Sequence, residues 1–323
     1  MRIVVIGGTG HVGSFLVPRL VRGGHQVVSL SRGARQPYVE DPAWAEVEQV
    51  KIDREAEDAA GTFPGRIRDL HPDVVIDMVC FTLQSARALV EGLRGHVGQL
   101  VHCGSIWMNG PSVKLPITEW QGTEPIGEYG IQKAAIAKLL RAETEQGGLV
   151  TTSLHPGHIS GPGWPVINPL GNLDPAVWQA LASGTELDVP GIGAELLAHV
   201  HADDVAQAFA LAVEHRDRAA GQAFHVTAAS SLTVRGLAQL AAGWFGQQAS
   251  LRWVDWPEFR TSTAAEHAEA SWEHLSRSQH VSIEHARTLL GYQPAYEPEA
   301  AVQEAVRWLI DHDQLVVDHP MTG

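Results

Sequence analysis

Cysteine is almost missing from this chain of 323 residues: only Cys80 and Cys103 occur, each at the end of an apolar, strand-like run. Two thiols so placed make neither a disulfide framework nor a metal pair, and read as small buried residues in a reducing cytosol. Basic residues are also scarce, 23 Lys and Arg against 37 Asp and Glu, for a formal charge of −14 with no long basic run. That excludes a nucleic-acid surface, which needs clustered Lys and Arg. No stretch approaches the ~20 apolar residues of a membrane span. The first apolar run is too short for a signal peptide and leads directly into glycines. Repeats and low-complexity tracts are missing too. What remains is 44% hydrophobic and 19% charged, enough to bury a substantial core as one large domain or two. Seventeen histidines invite a metal, but none form a ligand cluster; His199 and His201 alternate and face opposite sides of a strand. No metal is expected.

Strand-like and helix-like segments alternate through the first half. The pattern predicts strands near 2–6, 26–30, 47–52, 73–79, 98–103 and 149–154, and helices near 11–22, 62–70, 82–94 and 128–146. Such alternation implies right-handed crossovers and a parallel sheet covered on both faces, an α/β, doubly wound (Rossmann) architecture. From Gly157 to Asn172 the composition turns to Gly and Pro, and the chain is expected to leave the sheet. Asp203 to Glu214 reads as a capped helix and Ala223 to Thr227 as a further strand. The polar stretch from Ala264 to Ser276 reads as a solvated surface helix.

Three features carry chemistry. The buried-strand run Met1–Ile6 turns through Gly7-Gly-Thr-Gly-His-Val-Gly13. Gly8, Gly10 and Gly13 allow a tight turn, close approach of a pyrophosphate and tight helix–strand packing. Val12, Leu16, Val17 and Leu20 follow at helical spacing, so the helix start, with Thr9 and His11, faces an anionic ligand. In Tyr129-Gly-Ile-Gln-Lys133 a helix brings the first and last residues onto one face. A cation there favours phenolate over a phenol of pKa about 10, and a phenol nearer neutrality exchanges protons with an alcohol or carbonyl. Finally, Gln99–Ser105 reads as a strand with a polar end, where Ser105 either donates to a substrate oxygen or caps a turn. Ligands of open parallel sheets bind outside such carboxyl ends.

These residues resemble the extended short-chain dehydrogenase/reductases, the epimerase/dehydratase branch, over nearly the whole chain. The resemblance also includes His155–Gly163, Ala198–Ala206 and Ser282–Pro294 leading to Trp308. It implies Tyr129 as acid/base, Lys133 holding the nicotinamide ribose and lowering the tyrosine pKa, and Ser105 orienting the reacting oxygen. It implies a dinucleotide-binding domain of 1–157 and about 198–228, and a smaller C-terminal substrate lobe of about 158–197 and 229–323. By the same analogy Met78, Val79 and Cys80 line the cofactor, with His155 and Pro156 near it, and Asp53 contacts adenine; on its residues alone Asp53 is as well a strand-ending turn. A homodimer through the helices near 82–94 and 128–146 is implied as well.

An NAD-preferring fold carries Asp or Glu at the end of the second strand. Here Ser31 takes that place, followed by Arg32 and Arg35. A carboxylate would repel a 2′-phosphate, whereas a hydroxyl and guanidinium bind one, so NADP(H) is favoured over NAD(H). Nucleotide-sugar members have an arginine where this chain has Leu197 or Ala198, with Arg252, Arg260 or Arg277 as the available replacements. Phe81, Ile106, Trp107 and Trp164 are the candidate substrate contacts, with Met108, Trp253 and Trp256 adding to an apolar substrate side. The sequence thus points to a cytoplasmic NADP(H)-dependent oxidoreductase acting on a carbonyl or alcohol of a small molecule. A sugar or nucleotide-sugar epimerase/dehydratase and a non-catalytic NAD(P)-binding sensor are the alternatives.

Overall fold

A computed structural model of the chain describes residues 1–119, 121 and 124–322. Seven strands form one sheet: β1 (Arg2–Ile6), β2 (Gln26–Ser31), β3 (Glu48–Lys51), β4 (Val74–Asp77), β5 (Gln99–Cys103), β6 (Thr151–Pro156) and β7 (Ala223–Val226). Their order is β7-β6-β5-β4-β1-β2-β3, and every neighbouring pair runs parallel. The chain winds from β1 to one side through β2 and β3, then crosses to β4 on the other side. Ile6 therefore stands between Leu30 and Asp77, and the crevice beyond those carboxyl ends is where such sheets bind ligands.

A parallel strand covered on both faces needs apolar side chains throughout, and β1 supplies them alternately to the two sides. Ile3 and Val5 join Val12, Leu16 and Leu20 of α1 (His11–Arg22), together with Val205 and Phe209. Val4 and Ile6 join the opposite layer, with Leu89 and Leu93 of α2 (Leu83–Leu93) and Ile136 and Leu140 of α3 (Gly127–Glu145). Val205 and Phe209 belong to α4 (Ala202–Glu214), which packs beside α1. A second core forms around Val177, Trp178, Leu237, Phe259, Val302 and Val306. Among its elements are the parallel pair Leu187–Pro190 and Leu251–Val254 and the helix Pro298–Asp311.

The observed elements depart from the sequence pattern at a few ends. β4 stops at Asp77, because the Asp77 carboxylate takes the Val79 amide and bends the chain. A short helix, Arg54–Ala59, was not expected; Asp53 caps it, accepting from the Ala56 amide. The polar helix, observed as Ala265–Leu275, is not wholly solvated. It buries Ala268, Ser271 and Leu275, which share one face.

The glycine turn is sterically closed: a Cβ on Gly13 would overlap the Gly8 carbonyl, whereas one on Gly243, in the helix Val234–Trp244, meets nothing within 4 Å. Overpacking costs about 1–3 kcal/mol, while Gly→Ala in a helix interior gains about 0.5–1 kcal/mol. Urea unfolding is thus expected to show Gly13→Ala destabilised and Gly243→Ala stabilised.

Candidate active site

The turn after β1 brings the glycines of the fingerprint to the crevice. Gly7 adopts φ 88°, in the region that favours glycine. Its amide donates to Leu30 O at 2.8 Å, and the Gly10 amide donates back to Gly7 O at 3.0 Å. Gly8 lies so close to β2 that a Cβ would overlap the Ser29 hydroxyl. Gly10 caps α1 with no side-chain acceptor for the first helical amides, which suits a phosphate there. A cavity of about 820 Å³ opens over this turn, within the size range of cofactor sites. Gly7, Thr9 and Gly10 form its floor, and Ser31, Arg32 and Arg35 form the end beyond β2. Glycine cradle, uncapped helix start and cationic end fit a dinucleotide.

Tyr129 and Lys133 stand one turn apart on α3. Lys133 is 1% exposed, and its Nζ donates to Cys80 O at 2.8 Å and Cys103 O at 2.7 Å. It also lies 5.1 Å from the Phe81 ring centre and 5.6 Å from that of Tyr129. Burial lowers its pKa below the usual lysine value. Tyr129 is 40% exposed and meets Trp107 edge-on at 5.7 Å. The expected acidification of this phenol is not what its surroundings give. Desolvation, with a smaller effect of Cys103, pushes the Tyr129 hydroxyl up to about 12, and a hydrogen bond with Ser105 only partly opposes this. The Lys133 ammonium bonds two backbone carbonyls, and burial of the phenol outweighs what lowers its pKa.

Ser105 lies two residues beyond β5 and caps the short turn Ile106–Asn109, its Oγ accepting from the Trp107 amide. Its own amide donates to His155 Nδ1 at 3.3 Å. His155, expected against the cofactor, is fully buried behind Ser105. Burial, then His225, holds its pKa down to about 3, so the ring is neutral. Pro156 lies within the sheet, opposite Val226. His225 meets Asn109 through Nε2 and takes Glu119 on its backbone amide.

Of the residues expected from β4, Val79 lines the cavity, Met78 packs on the core and the Cys80 side chain is buried. Cys80, Asp77 and His102 bring three ligand-type atoms within 4.8 Å of one another. A cation is ill-suited there: Arg54 Nη1 already contacts Asp77 Oδ1 at 2.5 Å, and burial pushes the Cys80 thiol up to about 12. Asp53 lines the cavity as well as capping its helix.

The substrate candidates divide. Phe81 lines the cavity beside Tyr129, and Trp107 lies between Tyr129 and Arg277. Ile106 instead fills a core cluster with Ile117, Ala198 and Val281. Trp164 is 43% exposed and lines the dinucleotide cavity, stacked 6.0 Å from His11. Arg252 is engaged by Asp188 and Glu258. Arg277 is buried flat on Trp107, donating to Ile126 O and Glu273. Two residues that sequence reasoning passed over, Tyr38 and Arg54, also line the cavity.

Fold and cavity together mark an α/β protein suited to a dinucleotide, in which Ser105, Tyr129 and Lys133 stand together. Residues 3–86 and 76–227 match the NAD dependent epimerase/dehydratase family, and the chain belongs to that family. It is similar to a 2′-dehydrokanamycin reductase of Streptomyces kanamyceticus, 29% identical over 238 residues, which cover 73% of this chain and 64% of that protein. It is 27% identical to a dTDP-6-deoxy-L-talose 4-dehydrogenase (NAD(P)(+)) of Kitasatospora kifunensis, over 94% of each chain. Its fold resembles a UDP-glucuronic acid 4-epimerase of Bacillus cereus solved with UDP-glucuronic acid and NAD. That likeness has TM-score 0.73 and 15% identity, over 97% of this chain and 100% of that one. No helix among the described residues is long and apolar enough to cross a membrane.

His155 and His199 are held to about 3 and His225 to about 4, chiefly by burial. Each lies below an unfolded value of about 6.5, so the folded state binds fewer protons. Their stabilising effect is complete above that value and is lost as pH falls toward the folded pKa values. At pH 5 each such histidine costs about 2 kcal/mol. Unfolding free energy measured against pH is expected to drop steeply below about pH 6.5; a flat profile down to pH 5 would contradict neutral burial.

Proposed function

We propose that the protein is an NADP(H)-dependent oxidoreductase that reduces a carbonyl of a small molecule, with Tyr129 as the proton donor. The observation that carries this is the pairing of Tyr129, hydrogen-bonded to Ser105, with a cavity in which Ser31, followed by Arg32 and Arg35, stands at the end of β2, while Asp53, Glu55 and Asp58 line it from the neighbouring segment. Bound NADP(H) supplies the hydride. The turn amides from Gly7 to Gly13 would hold its pyrophosphate, and Arg32 and Arg35 its 2′-phosphate. Ser105 donates to the substrate oxygen and fixes its place. Tyr129, neutral in the folded protein, gives its proton to the oxygen as negative charge develops there.

A nucleotide-sugar substrate is less well supported. By the family resemblance the position of the diphosphate-binding arginine is taken by Leu197 or Ala198, both buried, and of the three replacements Arg252 and Arg277 are engaged elsewhere, which leaves the exposed Arg260. A relative named as a 2′-dehydrokanamycin reductase also favours net reduction over internal recycling. We assign residues 1–157 and about 198–228 to the dinucleotide domain and the remainder to a substrate lobe, and place the protein in the cytosol, where its two free thiols are stable.

With a carbonyl panel and NADPH, nicotinamide absorbance is expected to fall steadily; bound cofactor with no net change would indicate an epimerase. Tyr129→Phe is expected to lower turnover about 10²–10⁴-fold while NADPH affinity is retained. We further propose a homodimer through α2 and α3, which already pack side by side. Light scattering at micromolar concentration is expected to give twice the chain mass, and a monomer would refute it.

A further inference from the structure

Tyr38 lies in the loop between β2 and β3 and lines the cavity next to Arg35. Its hydroxyl accepts from Arg35 Nη1 at 2.8 Å, and its amide donates to Ser14 Oγ at 3.0 Å. The loop is thereby tied to the first turn of α1. The ring is boxed edge-to-face by His11 at 6.3 Å, Trp164 at 6.4 Å and Trp308 at 6.0 Å. They come from three separate segments: His11 starts α1, Trp164 follows β6, and Trp308 belongs to the helix Pro298–Asp311, where His312 stacks on it at 3.9 Å. Gly163, at φ 101°, lets the backbone lie against the ring, and a Cβ there would overlap it. The backbone of Gly161 and Pro162 in turn faces His11 of the glycine turn.

Arg35 is exposed, and an exposed guanidinium gains little from a charge partner unless its long side chain is already fixed. The Tyr38 oxygen fixes it while using one of its five N–H donors and adding no charge. We propose that Tyr38 is a positioning residue for cofactor choice. Held by Trp164 and Trp308, it aims Arg35 at the 2′-phosphate of NADP(H), so that the substrate lobe sets the preference without touching the phosphate. This rests on the NADP(H) reading above.

The test measures Kd for NADPH and for NADH, by nicotinamide fluorescence, in the wild type, Tyr38→Phe, Arg35→Ala and the double variant. Phenylalanine keeps the ring packed, so a folding defect is not expected, and Trp164→Ala provides a second route to the same loosening. Tyr38→Phe is expected to weaken NADPH binding about five- to ten-fold and leave NADH binding in place. Arg35→Ala is expected to do at least as much, with no added loss in the double variant, as required of two residues acting through one contact. Trp164→Ala is expected to reduce the NADPH preference in the same sense. A wild type with no preference for NADPH would overturn the cofactor reading and this proposal together. A wild type that prefers NADPH, with that preference intact in Tyr38→Phe or with additive losses in the double variant, would overturn the Tyr38 proposal alone.

Discussion

The ammonium of Lys133, buried between the carbonyls of Cys80 and Cys103, sets the geometry on which the active site depends. Those carbonyls belong to the chain just past β4 and to the last residue of β5. One side chain on α3 therefore pins the helix across two strand ends. Burying an ammonium is costly unless its donors are satisfied; here two carbonyls and the faces of Phe81 and Tyr129 offset the lost hydration. One turn earlier on the same helix, Tyr129 is thus delivered to Ser105. Through that anchoring the lysine fixes where the Tyr129 phenol stands.

Behind this front lies a second layer of buried polar groups. His155 receives the Ser105 amide, His225 stands behind His155, and Asn109 and Glu119 hold His225. On the other side Arg54 bridges Asp77 and Asp58 beneath the cavity. Each group is placed by a different segment of chain, so the strand ends at the crevice are fixed from below as well as from above. Such networks have to be nearly complete to be tolerated in a low-dielectric interior.

Much of the sheet was legible in the sequence, because a buried parallel strand leaves an unbroken apolar run and a glycine turn leaves invariant spacing requirements. β1, α1 and the placement of Tyr129 and Lys133 on one helix follow from those local signals. The ends were less legible: Asp77 stops β4 through its side chain, and Asp53 starts a helix too short and acidic to show an apolar period. What depends on distant partners could not be read at all. Spacing put Lys133 near Tyr129, but did not give the two carbonyls that its ammonium bonds. The family resemblance placed Trp164 in the substrate region, yet only the folded chain carries it onto His11 and Tyr38.

The contact between Gly163 and the face of Tyr38 has a consequence for how such a protein changes over time. Any side chain added at that glycine would push into the loop that carries Arg35. A change at that glycine would therefore be felt in the loop after β2, so the two segments can vary only together.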